Sequence, residues 1–241
     1  MIEKLRKGAY WRVRFGPHLV KGEFLSLSEC RELVETCQVR LRGWPFSFFR
    51  PENLDESDGC IQYAHARKTH KEWWRLDRSG RFEHYASLHE DDPLSREEFF
   101  DALDMLLDET AERDWDNYSG TAGISSLLHT ITEYFTFLSG YVRQLPKQID
   151  KFSVEIGLHG VRGRVLVETD IEKKWNIIYK TALNEIKSPE EVFTRQELLE
   201  NADRLTLDTA IHFFENFNWP EPDREQLKEE QQRFFREPIR Y

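Results

Sequence analysis

Residues 71–90 read KEWWRLDRSGRFEHYASLHE, and this stretch predicts a β-hairpin. Two runs in which apolar and polar residues alternate flank the tripeptide Arg78-Ser79-Gly80. Gly80 can adopt the left-handed backbone that closes a three-residue loop, and that loop length fixes the register. The opposed pairs are then Asp77 with Arg81, Leu76 with Phe82, Arg75 with Glu83, and Trp74 with His84.

The predicted register separates the two faces of the hairpin by polarity. The face suited to a core consists of Trp74, Leu76, Phe82, His84, Ala86 and Leu88. The other face carries two cross-strand ion pairs, Asp77/Arg81 and Arg75/Glu83, and such a pair contributes roughly 0.2–1 kcal/mol. A two-residue loop would mix the faces, because a slip of one residue turns every side chain of one strand to the opposite side.

Composition restricts the class of protein. The 241 residues are enough for one large domain, and the aromatic content of 13% supports a well-filled interior. No apolar run is long enough to span a membrane, and no apolar segment follows residues 1–4 as it would in a signal peptide. Three cysteines without a CxxC motif fit a reducing compartment, and we expect Cys30 and Cys37 to be small buried residues of one helix. We therefore expect a cytoplasmic protein without a membrane partner.

The order of predicted elements indicates an α+β domain. Predicted strands precede and follow the helices, at residues 10–15, 39–42, 60–66, 151–158, 164–168 and 175–183. Ser28 is expected to cap a helix over residues 29–37, and the glycine-bearing turn at 160–163 is expected to fold 164–168 back onto 151–158. We predict a largely antiparallel sheet with the hairpin 71–90 at its centre, packed against a buried helix at about 121–143.

Two further assignments concern the last third of the chain. Residues 189–201 are compatible with a helix start at Ser188 and equally with an extended segment at 192–194. Thr206 or Asp208 is expected to cap the helix that ends the domain, which spans residues 1–219. A charged helix at 221–236 has few apolar residues for an inner face, so we expect it to be peripheral or to face a partner.

The net charge of −10 is unevenly distributed. Residues 90–116 contain twelve acids and two arginines, whereas residues 1–50 contain ten basic residues and five acids. A capping box, Ser95 with Glu98, predicts a helix within the acidic segment. Its exposed acids are a candidate docking surface for a basic protein partner, with a solvated face as the simpler alternative and a divalent-cation site as the third. These acids are Asp101, Asp104, Asp108 and Glu112.

Arginines alternate on two of the predicted early strands. Arg12 and Arg14 lie on the first strand, and Arg40 and Arg42 lie on the second. If these strands were neighbours, the four guanidinium groups, flanked by Trp11 and Trp44, would form a surface for phosphates or single-stranded nucleic acid. Arginines that simply cover an open sheet face are the simpler alternative, and the net charge does not favour nucleic acid.

Candidate catalytic groups are few. His84 lies on the core face of the predicted hairpin, where it either satisfies a buried acceptor or acts as a ligand or general base with His65, His70 or Glu72 nearby. The sequence contains no HExxH, GxSxG, P-loop or GxGxxG motif after a strand. We therefore assign no catalytic residue, no metal site and no cofactor.

Three motifs resemble an uncharacterised bacterial domain that occurs alone or follows a Schlafen-like, Alba-type DNA-binding domain. They are Arg42-Gly43-Trp44, the run from Trp74 to His84 (WRLxxSGRFxH), and Phe213-Phe214 with Phe217-Asn218-Trp219. The resemblance covers roughly residues 39–219, and we expect no Schlafen-like domain within this chain. It implies a cytoplasmic accessory module, a subunit in a bacterial antiviral-defence or DNA-associated system.

These observations favour a non-catalytic interaction or sensing module that acts as a subunit of a larger cytoplasmic assembly, with a protein partner or a second copy of the chain. Two alternatives remain. One is a metal-dependent phosphoesterase or nuclease that uses His84. The other is a nucleic-acid-binding protein that uses the four arginines. A pocket that joins His84 to two further polar groups would favour the enzyme.

Overall fold

The hairpin predicted at residues 71–90 lies at the centre of an antiparallel sheet. The structure, a computed structural model, describes residues 1–42, 45–66, 70–91, 118–168, 173, 175 and 178–237. Its strands are β1 (Tyr10–Pro17), β2 (Asp55–Ser57), β3 (Cys60–Ala66), β4 (Lys71–Asp77), β5 (Phe82–Ser87), β6 (Gly120–Gly123), β7 (Lys151–His159), β8 (Arg164–Val167), β9 (Tyr179–Lys180), β10 (Glu185–Lys187) and β11 (Glu191–Thr194). Its helices are α1 (Ile2–Leu5), α2 (Leu27–Cys37), α3 (Ile124–Gln144), α4 (Arg195–Glu200), α5 (Ala202–Asn216) and α6 (Arg224–Arg236), and short 3-10 turns cover Pro51–Asn53 and His89–Asp91.

The main sheet has eight strands, in the order β10-β7-β1-β5-β4-β3-β2, with β11 also paired to β7. Every pairing in it is antiparallel. A second, three-stranded sheet has the order β6-β8-β9, with β6 and β8 parallel. The expected α+β class with a largely antiparallel sheet is confirmed.

The predicted register of the hairpin is also confirmed. Trp74 lies opposite His84 and Leu76 lies opposite Phe82. Gly80 has a φ of +70°, and a Cβ atom there would lie 2.7 Å from Phe24 Cζ, so both the backbone conformation and the space require glycine.

The predicted cross-strand ion pairs are wrong. Arg75 bonds to Asp77 of its own strand, with 2.6 Å between Nε and Oδ1. Glu83 instead accepts from Arg12 on the neighbouring strand β1, at 3.0 Å. The hairpin sits inside the sheet, so its outer face also meets Arg12 and Arg14 of β1, and the hairpin alone does not determine which charged groups pair.

Helix α3 covers the inner face of the main sheet. The ring centroid of Phe137 lies 5.1 Å from that of Phe82 and 5.9 Å from that of Phe15. The apolar arc expected from the sequence is buried along the length of the helix. The buried helix expected at about 121–143 is confirmed, and its first residues belong to β6.

Several predicted boundaries are corrected. Ser26, not Ser28, caps α2, because the Ser26 hydroxyl accepts from the amide of Glu29 and the Glu29 carboxylate accepts from the amide of Ser26. Helix α5 begins at Ala202, ahead of Thr206 and Asp208. Residues 189–201 contain both alternatives, since β11 leads directly into α4.

Two predicted strand assignments are wrong. Residues 39–42 form no strand, and Val39 makes only an isolated bridge with Phe46. Residues 151–158 and 164–168 do not form one hairpin, because β7 pairs with β1 in the main sheet while β8 pairs with β6 in the small sheet.

The helix expected from Ser95 lies outside the described residues. Among the residues that are described, no helix is long and apolar enough to cross a membrane.

Candidate functional site

The four arginines proposed as an anion-binding surface do not come together. Arg12 and Arg14 lie on the outer face of β1, where Arg12 bonds to Glu83 and Arg14 bonds to Glu155 at 2.6 Å. Arg40 is exposed and donates to Gln38. Arg42 points inward to α3, where it pairs with Glu133.

The outer sheet face nevertheless has a groove of about 680 Å³. It is lined by three guanidinium groups, from Arg14, Arg75 and Arg81, and by four carboxylates, from Asp77, Glu83, Glu155 and Glu190. Acids therefore outnumber arginines in it. Of the predicted flanking tryptophans, Trp11 is buried on the opposite face, and Trp44 lies outside the described residues.

The acidic residues proposed as a partner-binding surface also lie outside the described residues. This applies to Asp101, Asp104, Asp108 and Glu112. Their role as a docking surface stays a prediction from the sequence.

A second pocket contains His84. It has a volume of about 50 Å³ and lies where the ends of β4 and β5, the loop at 45–46 and the first half of α3 meet. Its polar lining includes Arg42, His70, Glu72, His84, Glu133 and Tyr134. The sequence identified His84 with His70 or Glu72 as a candidate group, and the structure brings all three together.

Glu72 links two imidazoles. Its Oε1 lies 3.0 Å from Nε2 of His84, and its Oε2 lies 3.0 Å from Nε2 of His70. The backbone amide of Phe48 donates a further hydrogen bond to Oε1 at 3.2 Å. Side chains of β4 alternate between the two faces, so Glu72, two residues before Trp74, lies on the core face. An acidic residue at a position where the alternation predicts an apolar one was the sequence signal for this contact.

The Glu72 carboxylate is ionised at neutral pH. Burial alone would raise the pKa of Glu72, but the hydrogen bonds from His70 and His84 outweigh burial and lower that pKa to about 2. An ionised carboxylate only accepts, so Nε2 of each ring must carry the hydrogen. His84, which is 1% exposed, is therefore held in one orientation.

Arg42 and Glu133 form the second charged pair of the pocket. Arg42 Nη2 lies 2.8 Å from Oε2 of Glu133 and also donates to the hydroxyl of Thr130 at 2.6 Å. Burial raises the pKa of Glu133 to about 7, although the charge of Arg42 acts in the opposite direction. One pocket thus holds two buried carboxylates whose pKa values are displaced in opposite directions.

Four residues of this pocket present buried polar atoms without a hydrogen-bond partner among the described residues. The atoms are Nδ1 of His84, Nε of Arg42, Oε1 of Glu133 and the hydroxyl of Tyr134. Most buried polar groups in proteins are paired, because an unpaired one costs roughly 1–3 kcal/mol. Unpaired polar atoms on several residues that line one pocket indicate a place for a small polar ligand.

A second polar network begins on the same helix and reaches α6. His129 Nε2 lies 2.9 Å from Oε1 of Glu230, and Nζ of Lys173 lies 2.9 Å from the same oxygen. Lys173 also donates to the hydroxyl of Ser125 at 2.6 Å. The ring of Phe234 stacks on His129 with centroids 3.9 Å apart. Sequence reasoning missed this network, because its partners are separated by up to about a hundred residues along the chain.

Within the described ranges, no group of three or more His, Cys, Asp or Glu side chains is arranged to hold a metal ion. Comparisons with protein-family models, with curated proteins and with solved structures found no match.

Proposed function

We propose that this protein is a non-catalytic sensing module that binds a small polar group in the His84 pocket. The supporting observation is the set of four buried, unpartnered polar atoms on the residues that line it. A bound group that formed hydrogen bonds with them would recover the free energy lost by burying these atoms unpaired.

The dimensions of the pocket favour recognition over turnover of a large substrate. Pockets for drug-sized ligands usually measure about 300–1,000 Å³, and one water molecule takes about 30 Å³ of liquid volume. At about 50 Å³, the pocket has room for a single polar end group. Ser87, His89 and Ser126 also line it and add to its polar character.

The proposal extends to the setting of the module. We propose that it works as a subunit of a larger cytoplasmic assembly, as the resemblance to an accessory domain implies. Sedimentation of the purified chain tests whether the other subunit is a second copy of it.

An NMR titration of the histidine rings tests the pocket directly. Methylammonium chloride, acetamide and sodium acetate serve as probes for a cationic, a neutral and an anionic end group. We expect at least one probe to shift the ring nitrogens of His84 in a saturable manner. His212, whose Nε2 contacts the carbonyl oxygen of Lys187 on another part of the surface, serves as the internal control. If no probe gives a saturable shift at His84, the proposal is wrong.

A second candidate function is proton-transfer catalysis, and the opposed pKa displacements of Glu72 and Glu133 favour it specifically. Glu72 orients the imidazole of His84, which can act as a base. Glu133 keeps its carboxyl proton up to about neutral pH, so it can act as the acid. Hydrolysis of p-nitrophenyl acetate, whose small acetyl group matches the size of the pocket, tests this function. A rate that depends on pH near neutrality and is lost in His84→Gln would favour the enzyme over the sensor.

A further inference from the structure

Helix α6 buries two apolar and two polar side chains where it packs against the domain. Its buried residues are Leu227, Glu230, Gln231 and Phe234. Glu230 is 7% exposed and accepts from both His129 and Lys173, while Gln231 donates to the carbonyl oxygen of Asp203 at the start of α5. The contact between this helix and α3 therefore includes a buried titratable pair, His129 and Glu230, in addition to its apolar residues.

We propose that α6 is the output element of the module, and that Arg42 couples its docking to the His84 pocket. Arg42 contacts Glu133 in the pocket and Thr130 on α3, the residue that follows His129. Glu133 and His129 are four residues apart on α3 and therefore project from the same face of the helix. A ligand that changed the pairing of Arg42 would change the field at His129.

The groups that face His129 come from every element packed around it. Glu230 belongs to α6, and Arg233 of the same helix lies 3.7 Å from Glu230. Lys173 approaches from the segment before β9 and also lies near Glu168. Arg42, in the loop after α2, acts on His129 through its charge. Glu133 lies one helical turn further along α3 and pairs with Arg42. The cations Lys173 and Arg42 oppose a third positive charge on His129.

The linkage between protonation of His129 and docking of α6 gives the direction in which pH changes docking. Burial lowers the pKa of His129 to about 4, the bond to Glu230 opposes this change, and the charge of Arg42 adds to it. An undocked α6 would expose His129 and restore its ordinary pKa of about 6.5. Protonation therefore favours the undocked state, and docking should weaken as the pH falls from about 6.5 towards 4.

Hydrogen exchange of α6 in the full chain measures docking without any ligand. From the two pKa values of His129, lowering the pH from 7 to 5 should reduce the docking equilibrium roughly twentyfold. The readout is the protection factor of amides in residues 224–236, corrected for the intrinsic effect of pH. The double variant Arg42→Met/Glu133→Gln removes the pocket ion pair as a unit, and we expect a smaller pH-dependent loss in it.

Two further variants keep the test decisive. Arg40→Met makes the same side-chain change at an exposed neighbouring position and should behave as the parent protein. Glu133→Gln keeps the charge of Arg42, and Glu133, with a pKa of about 7, is already largely protonated at pH 5, so the loss of protection should be close to that in the parent. An equal pH response in the parent, Arg42→Met/Glu133→Gln and Glu133→Gln would overturn the coupling, as would α6 protection that does not change between pH 7 and 5.

The biological role of the coupling rests on the proposed sensor function, but the coupling and the sensor function are disproved by different results. If no probe binds the pocket while α6 protection follows the Arg42 variants, the sensor proposal fails and the coupling stands. If a probe binds at His84 and α6 ignores the variants, only the coupling fails.

Discussion

The hydroxyl of Tyr141 donates a 2.6 Å hydrogen bond to the carbonyl oxygen of Gly80, which ties the buried helix α3 to the turn of the central hairpin. Tyr141 is fully buried, and burial raises the pKa of its hydroxyl well above the ordinary value, so it remains a donor at any physiological pH. Gly80 is the glycine whose positive φ closes the hairpin loop, so this bond joins the helix to the turn that sets the register.

Replacement of Tyr141 by phenylalanine should lower the free energy of unfolding by about 1–3 kcal/mol, because the buried carbonyl of Gly80 would lose its donor. Urea denaturation at pH 7 measures the change. Tyr179→Phe, which alters a half-buried tyrosine of the small sheet, is the matched control and should have a smaller effect. Equal effects of the two substitutions would show that the bond does not anchor the turn.

The free energy of unfolding should depend on Glu72 at acid pH. The pKa of Glu72 is about 2 in the folded protein and near 4.5 when unfolded, so in this interval the folded state binds fewer protons than the unfolded state. Stability from this group is thus complete above pH 4.5 and is lost as the pH falls towards 2, by about 3 kcal/mol in total.

Glu72→Gln removes that component, so the difference in stability between parent and variant should shrink across the same interval. Urea denaturation at several pH values measures it. Glu52→Gln, at an exposed glutamate, is the control and should follow the parent curve. A constant difference between parent and Glu72→Gln from pH 5 to pH 2 would contradict the role given to Glu72.

Glu133 should titrate near neutrality. Burial raises its pKa to about 7, so the folded state binds more protons than the unfolded state between pH 4.5 and 7, and this group destabilises the fold as the pH rises through that range. The carboxyl carbon shift of Glu133 in a pH titration by NMR measures the midpoint directly. Arg42→Met should move the midpoint higher, since it removes the charge that lowers the pKa. A midpoint near 4 would contradict the buried placement.

The cysteines should be unreactive in the native protein. Burial raises the pKa values of Cys30 and Cys37 to about 12, and it also raises that of Cys60. At pH 8 a thiol with a pKa near 12 is ionised to a fraction on the order of 10⁻⁴, and the thiolate is the reacting species. Labelling by Ellman's reagent should therefore be slow until urea unfolds the chain. Rapid labelling of the native protein would contradict the packing of these side chains.

Local rules were sufficient for the hairpin and for the helix that covers it. The loop at Arg78-Ser79-Gly80 determines the register, and the alternation from Trp74 onward determines the core face, so both follow from near neighbours in the sequence. The helix at residues 124–144 follows from its apolar period in the same way. Within the hairpin and within the helix, the residues that determine the structure are close together in the sequence.

The candidate site required contacts that the sequence does not encode locally. Arg42 appeared to continue an alternating strand, but its guanidinium bonds to Glu133, which lies ninety-one positions later on another element. His84 could be placed on the core face, yet whether it met a carbonyl or a carboxylate depended on the neighbouring strand. Charge pairing on the outer face failed for the same reason, since Arg12 and Glu83 are seventy-one residues apart.

The outer sheet face provides the last prediction, which concerns single-stranded nucleic acid. Arg12 and Arg14 are already neutralised by Glu83 and Glu155, and the chain carries a net charge of −10, so we expect the parent protein to bind a fluorescent oligothymidine only weakly. The double variant Glu83→Gln/Glu155→Gln releases both guanidinium groups, which lie two positions apart on the same face of β1.

This variant should bind the oligothymidine more tightly at low salt, and its binding should weaken with added salt, since phosphate contacts release counterions. Fluorescence anisotropy at several salt concentrations measures the affinity and its salt dependence. Glu225→Gln/Glu229→Gln makes the same change of net charge on α6 and should leave binding weak. If the two double variants gained affinity equally, net charge alone would explain the gain. If neither gained affinity, the arginines of β1 would serve only to cover the sheet.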